Sequence, residues 1–214
     1  MILIFIESRC FFMKRILGLL LSLTLCMTLL CGCQVQKGNY LKPVKLTESE
    51  RELLTLTNPN LPILLDYHVE GSKSMAIEKM ILKDGTWVKE EGSLFAMETD
   101  DASKPMEGRM ALNYSTESNS FGLTSAAVRE TAGTLARTSE LSNHSEYEMR
   151  NAATNQNETT ITLNEPAWLL LFCADNPDNP SDGTVPTDPL AHPESFTSEY
   201  VEMITVTFSD KSLH

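Results

Sequence analysis

Beyond residue 33 the sequence has one cysteine, Cys173, and its whole length holds only two tryptophans, Trp87 and Trp168. A lone thiol cannot close an internal disulfide, so whatever folds there must be held by packing and hydrogen bonds. Basic side chains are also scarce: 17 Lys and Arg stand against 29 Asp and Glu, for a formal charge of −12. That balance argues against nucleic acid as a partner, because binding phosphates takes a cationic face. Catalytic signatures are missing as well. No Gly-x-Ser-x-Gly, Ser-x-x-Lys, His-Glu-x-x-His or Gly-rich phosphate loop occurs, so no cofactor is expected and an enzyme is not the favoured reading. What is present is ample: 42% hydrophobic residues in 214, enough for a packed core, without collagen-like or coiled-coil bias.

Four of the five cysteines crowd into the first 33 residues, where Lys14-Arg15 precedes an apolar run from Ile16 to Leu30 with no charge until Lys37. A basic patch, an apolar run and small residues make residues 1–32 a secretory signal. Leu30-Cys31-Gly32-Cys33 resembles the lipobox of bacterial lipoproteins. The resemblance implies cleavage after Gly32 and fatty acylation of Cys33; Cys31 fits less well, since Leu30 before it is not small. An uncleaved anchor is the alternative, because the 21 uncharged residues from Ile16 to Gln36 could cross about 30 Å of hydrocarbon. Residues 1–12 carry Glu7 and Arg9 and read as an upstream start-site artefact, with Met13 the natural beginning. Either anchor places the remainder at the cell membrane, on its extracytoplasmic face.

Residues 33–46 read as the lipidated cysteine and a flexible tether, polar and aperiodic, with Gly38 and Pro43. Thr47-Glu-Ser-Glu50 then matches a capping box and opens a short amphipathic helix carrying Leu53 and Leu54, ended by Asn58-Pro59. From Pro62 the period falls to two. Ile63, Leu65, Tyr67 and Val69 share one face of a strand, and Asp66, His68 and Glu70 the other. A second alternating run, residues 75–82, leads into Asp84-Gly85 and Trp87-Val88, a hairpin signal because these turn residues accept positive φ. Further strands are expected over residues 94–99, 108–114, 121–127, 159–163, 167–174 and 201–208, with the wholly apolar Leu169–Phe172 in a central position. Residues 128–158 are a polar excursion, holding one or two edge strands or a surface loop. Many short strands, one early helix and no βαβ alternation predict a mainly β domain over 47–214: an antiparallel β-sandwich, Ig-like or jelly-roll-like.

Candidate sites are few. Asp66, His68 and Glu70 could bind a divalent metal or exchange protons, although alternating polar residues are also what a solvated sheet face requires. Asp175, Asp178 and Asp182 sit in a Pro-rich segment whose oxygens could cradle calcium, yet Asx-Pro pairs are ordinary turn formers and the EF-hand spacing is absent. Ser142 and Ser145 flank His144 in a polar stretch that reads as composition. Cys173 is expected as a small buried hydrophobe and Trp168 as a core residue.

The Leu-x-x-x-Glu-Arg-Glu helix, the Asp-Gly-x-Trp hairpin and the final Ile-Thr-Val-Thr-Phe strand make residues 46–209 similar to small lipoproteins of Gram-positive anaerobes. That resemblance implies a β-domain and carries no activity. Residues 33–214 hold 14 basic and 28 acidic side chains, so the acidity belongs to the exported part. The expectation is a membrane-anchored, non-enzymatic module that binds an envelope protein or glycan. The alternative is an accessory that captures a glycan or Ca²⁺ for a transporter or sensor.

Overall fold

The alternating stretches become strands of two antiparallel sheets. The structure, a computed structural model, describes residues 38–57, 61–99, 101, 103–130, 133–138 and 144–213, with backbone alone for residues 57, 130 and 133–138. Residues 1–37, where the signal and Cys33 are expected, and Asn58-Pro59 lie outside the described residues. In chain-order numbering, the first sheet runs β10 (Thr159–Thr160), β1 (Tyr40–Pro43), β2 (Ile63–Val69), β6 (Met106–Glu117), β7 (Ser120–Glu130) and β8 (Gly133–Thr138). The second runs β4 (Thr86–Lys89), β3 (Ser74–Lys83), β12 (Tyr200–Ser209), β11 (Pro166–Asp175) and β9 (Glu148–Thr154). β5 (Phe95–Glu98) shares the outer edge of β3 with β4, pairing Ser74–Ile77 where β4 pairs Met80–Lys83.

Between the sheets lies one core, to which Leu65, Tyr67, Met110 and Phe121 of the first and Met75, Ile77, Phe172, Ile204 and Phe208 of the second contribute. Ring pairs cross it: Tyr67 to Phe208 at 5.4 Å and Phe121 to Phe172 at 5.7 Å. At about 2 kcal/mol for each large side chain taken from water, apolar area of this extent does the work that disulfides do in smaller domains. The protein is therefore mainly β, two antiparallel sheets packed face to face with a single α-helix among the described residues. That helix is short, and among the described residues no helix is long and apolar enough to cross a membrane.

Local chemistry explains the elements. Asp84 and Gly85 take φ of 51° and 71°, the left-handed pair that joins β3 to β4 with the twist a two-residue hairpin needs. The capping box forms: the Thr47 amide donates to Glu50 Oε2 at 2.8 Å, and the Glu50 amide donates to Thr47 Oγ1 at 3.3 Å. It opens α1 (Glu48–Thr57), but the expected apolar face does not pack: Leu53 and Leu56 are exposed and Leu54 is half-buried.

Three expectations need correction. Residues 40–43, assigned to the tether, form β1 between β10 and β2, with Leu41 only 2% exposed, so the compact unit starts at Gly38 and takes in residues ahead of 47. Four residues with one inward leucine are too few to show a period. The strand expected over 159–163 shrinks to Thr159–Thr160, which pairs only Tyr40 and Leu41. Trp168 lies outside the inter-sheet core. The pairing of β11 with β12 shifts register between Trp168 and Leu170, and Leu169 and Leu170 both face the core. That bulge reverses the phase and turns Trp168 to the outer face beside Thr205. The polar excursion supplies β8 and β9, one at the edge of each sheet.

The 24 residues from Asn176 to Glu199 connect β11 to β12 and form a strap over the outer face of the second sheet. Val185, Leu190 and Phe196 of the strap, together with Trp87 and Trp168, pack on Leu171, Cys173, Val201 and Met203. Trp87 Nε1 donates to the Pro189 carbonyl at 3.0 Å and pins it. This second, outer core explains why β11 is apolar on both faces.

Candidate functional site

The first strand triad resolves into surface pairs. Asp66 accepts both Arg109 Nε (2.7 Å) and Nη2 (3.1 Å) from the neighbouring strand, and His68 Nδ1 lies 3.0 Å from Glu107 while stacking on Tyr40. Glu70 is 3.9 Å from His68 Nε2. These are the cross-strand contacts of a solvated face.

The three aspartates do not converge. Asp175 is fully buried and accepts from the Ser181 amide (3.0 Å), the Ser181 hydroxyl (2.6 Å) and the Glu199 amide (2.8 Å), tying the two ends of the strap together. Burial pushes its carboxyl up, but the Ser181 and Glu199 hydrogen bonds outweigh it and leave the group below the usual range. Asp182 accepts from the Thr197 hydroxyl and the Thr184 amide, while Asp178 is exposed. Among the described residues no three His, Cys, Asp or Glu side chains gather as metal ligands. Cys173 is buried under the strap, its thiol pushed up to about 12 by loss of solvent, which leaves it unreactive.

A cluster that the sequence reading missed sits at one end of the inter-sheet space. Glu202, 1% exposed, accepts from the Tyr200 hydroxyl at 2.9 Å and lies 4.0 Å from Lys79 Nζ, which pairs with Glu90 at 2.6 Å. His144 stacks on Phe121 at 4.1 Å, with Nε2 3.7 Å from Glu202 and without a hydrogen-bond partner. Gly122 lies beside it with φ of 132°, a conformation that any side chain would strain. Burial raises the Glu202 carboxyl, lowers the His144 imidazole and raises the Tyr200 phenol. A signal existed. Glu202 shares the phase of Ile204, Val206 and Phe208, and Lys79 that of Met75 and Ile77, so each charge stood in an inward register.

Because folding disfavours ionised Glu202, its contribution to stability falls as pH rises from the ordinary carboxyl range through the raised value. Glu202→Gln is therefore expected to gain about 1 kcal/mol at pH 8, a rise of roughly 2–4 °C in Tm, with the gap closing toward pH 4. The Gln amide can also donate to the orphaned His144 Nε2. Thermal melts from pH 4 to 8 check this; a variant less stable at pH 8 would show that the charge stabilises the cluster.

An open groove of about 520 Å³ lies where the strap meets the β9–β10 turn. Trp168, half-buried, and Leu190 are among its apolar lining, with Asn155, Asn157, Thr160 and Asp188 among its polar lining. Asn155 fixes the geometry: its buried amide donates to Thr159 Oγ1 (3.1 Å) and to the Trp168 carbonyl (3.2 Å), and accepts from the Asn157 amide (3.1 Å). No family model, curated protein or solved structure matches the chain.

Proposed function

We propose that the chain is an exported lipoprotein, held on the extracytoplasmic face of the cell membrane by acylated Cys33, whose sandwich is a binding module of the Ig-like or jelly-roll-like kind and not an enzyme. The order of basic patch, apolar run and lipobox supports the anchor. Six residues separate Cys33 from Tyr40, where β1 starts, a span of at most about 25 Å. The observation that carries the binding reading is the groove beside Trp168, which is open and lined with hydrogen-bonding groups. Glu202 and His144 are buried and line no part of it. The same groove favours capture of a glycan for a transporter or sensor over capture of calcium, since Asp175 and Asp182 are committed to the strap.

Fractionation tests the anchor. Wild type is expected in the membrane pellet, resistant to salt, and Cys33→Ser in the soluble fraction, because several acyl chains at about 0.8 kcal/mol per CH₂ hold a protein almost permanently. Retention of Cys33→Ser in the pellet would replace lipidation with a helical anchor over Ile16–Gln36.

A further inference from the structure

Resting on that binding reading, we infer that the Trp168 groove is a site for neutral carbohydrate. Three independent features point to it. The bulge at Leu169–Leu170 takes an indole that simple alternation would bury and presents it on the outer face, and bulges recur where a side chain must be re-aimed at a site. The groove's dressing is four threonines and two asparagines, with Glu165 and Asp188 as its charges and no Lys, Arg or His in its lining. Hydroxyls and amides both donate and accept, which matches the hydroxyl array of a sugar, while the apolar C–H face of a pyranose fits an indole or Leu190. The two carboxylates disfavour uronic or sialic acids. Finally, the walls are set in advance: Asn155 locks the β9–β10 turn to the Trp168 carbonyl, and Trp87 holds Pro189 next to Asp188. A ligand then meets fixed partners, and less ordering entropy opposes binding. The volume lies within the range of small-ligand sites.

Titration of the purified full chain in detergent tests the assignment, with chitotetraose, cellotetraose, maltotetraose and mannotetraose as neutral probes and tetragalacturonate as the anionic one. Tryptophan emission and calorimetry report binding. At least one neutral tetrasaccharide is expected to bind saturably at concentrations up to about 10 mM. Asn157→Ala and Thr160→Ala, both on exposed positions, are each expected to weaken it about fivefold, and Trp168→Phe to abolish the emission change. Absence of saturable binding by all four probes overturns the proposal, as does binding unaffected by the three substitutions. Binding of tetragalacturonate in place of the neutral probes overturns it too, in favour of an anionic glycan. The result does not depend on the anchor, because Cys33→Ser can be titrated in the same way. A failed titration therefore speaks against carbohydrate, and failed release of Cys33→Ser against lipidation.

Discussion

Gly108→Ala is expected to destabilise the protein by about 3 kcal/mol, at the upper end of the cost of forcing atoms into a filled site. Gly108 lies on β6, opposite Tyr67 of β2 and Glu130 of β7. A Cβ there would stand 2.1 Å from the Arg129 carbonyl oxygen and 2.9 Å from the Tyr67 hydroxyl. The carbonyl belongs to the backbone of a paired strand and cannot swing aside, so β6 and β7 would have to part. Gly92→Ala serves as the contrast, since that residue has φ of 85° but open space around its Cβ. It should cost about 1 kcal/mol from backbone strain alone. Urea denaturation of both variants separates close approach from conformational preference. Equal losses would show that the β6–β7 contact relaxes freely.

Asp175→Ala has the other large expected effect, also about 3 kcal/mol, because it strands the Ser181 and Glu199 amides that the buried carboxylate satisfies. It also unties both ends of the strap at once. The outer core over Leu171, Cys173, Val201 and Met203 should loosen, and Cys173 becomes a built-in reporter. Peptide mapping after brief exposure to a thiol reagent is expected to show Cys173 protected in wild type and labelled in the variant. The pH dependence has a definite sign. With its carboxyl held below the ordinary range, Asp175 stabilises the fold above the unfolded value near pH 4 and loses that contribution as pH falls through the folded one. The gap between wild type and variant should therefore be full at pH 7 and shrink below pH 4. Unchanged stability at pH 7 with Cys173 still protected would show that the strap is held without the Asp175 tie.

The elements legible in the sequence are those whose cause is local or strictly periodic. The capping box at Thr47 and Glu50, the Asp84-Gly85 turn and the alternation of β2 each depend on residues within a few positions of one another. The apolar run of β11 was readable as a central strand, because no exposed segment carries Leu169–Phe172. Its second covering layer was not, since the strap that buries Leu171 and Cys173 begins only at Asn176. The solvated pairing of Asp66 and His68 was open to argument from the strand period, but its partners Arg109 and Glu107 lie about forty residues on.

The candidate site was largely hidden for the same reason. One added residue in β11 turned Trp168 from the core to the groove, and nothing in composition marks a bulge. Asn155, Thr160 and Asp188 meet only because β9, β10 and the strap converge there. Glu202 and Lys79 were visible as charges in inward phases, but their meeting with His144 needed the two sheets to close over them. By itself, then, the sequence determined an acidic chain with a β-rich fold, its turns and its strand faces, because backbone preference and side-chain period act over short range. Only the tertiary structure decided where the domain begins, which face Trp168 takes, and which polar groups share a groove or a core. Those outcomes depend on register and on contacts between distant strands, where a one-residue slip reverses every side chain beyond it.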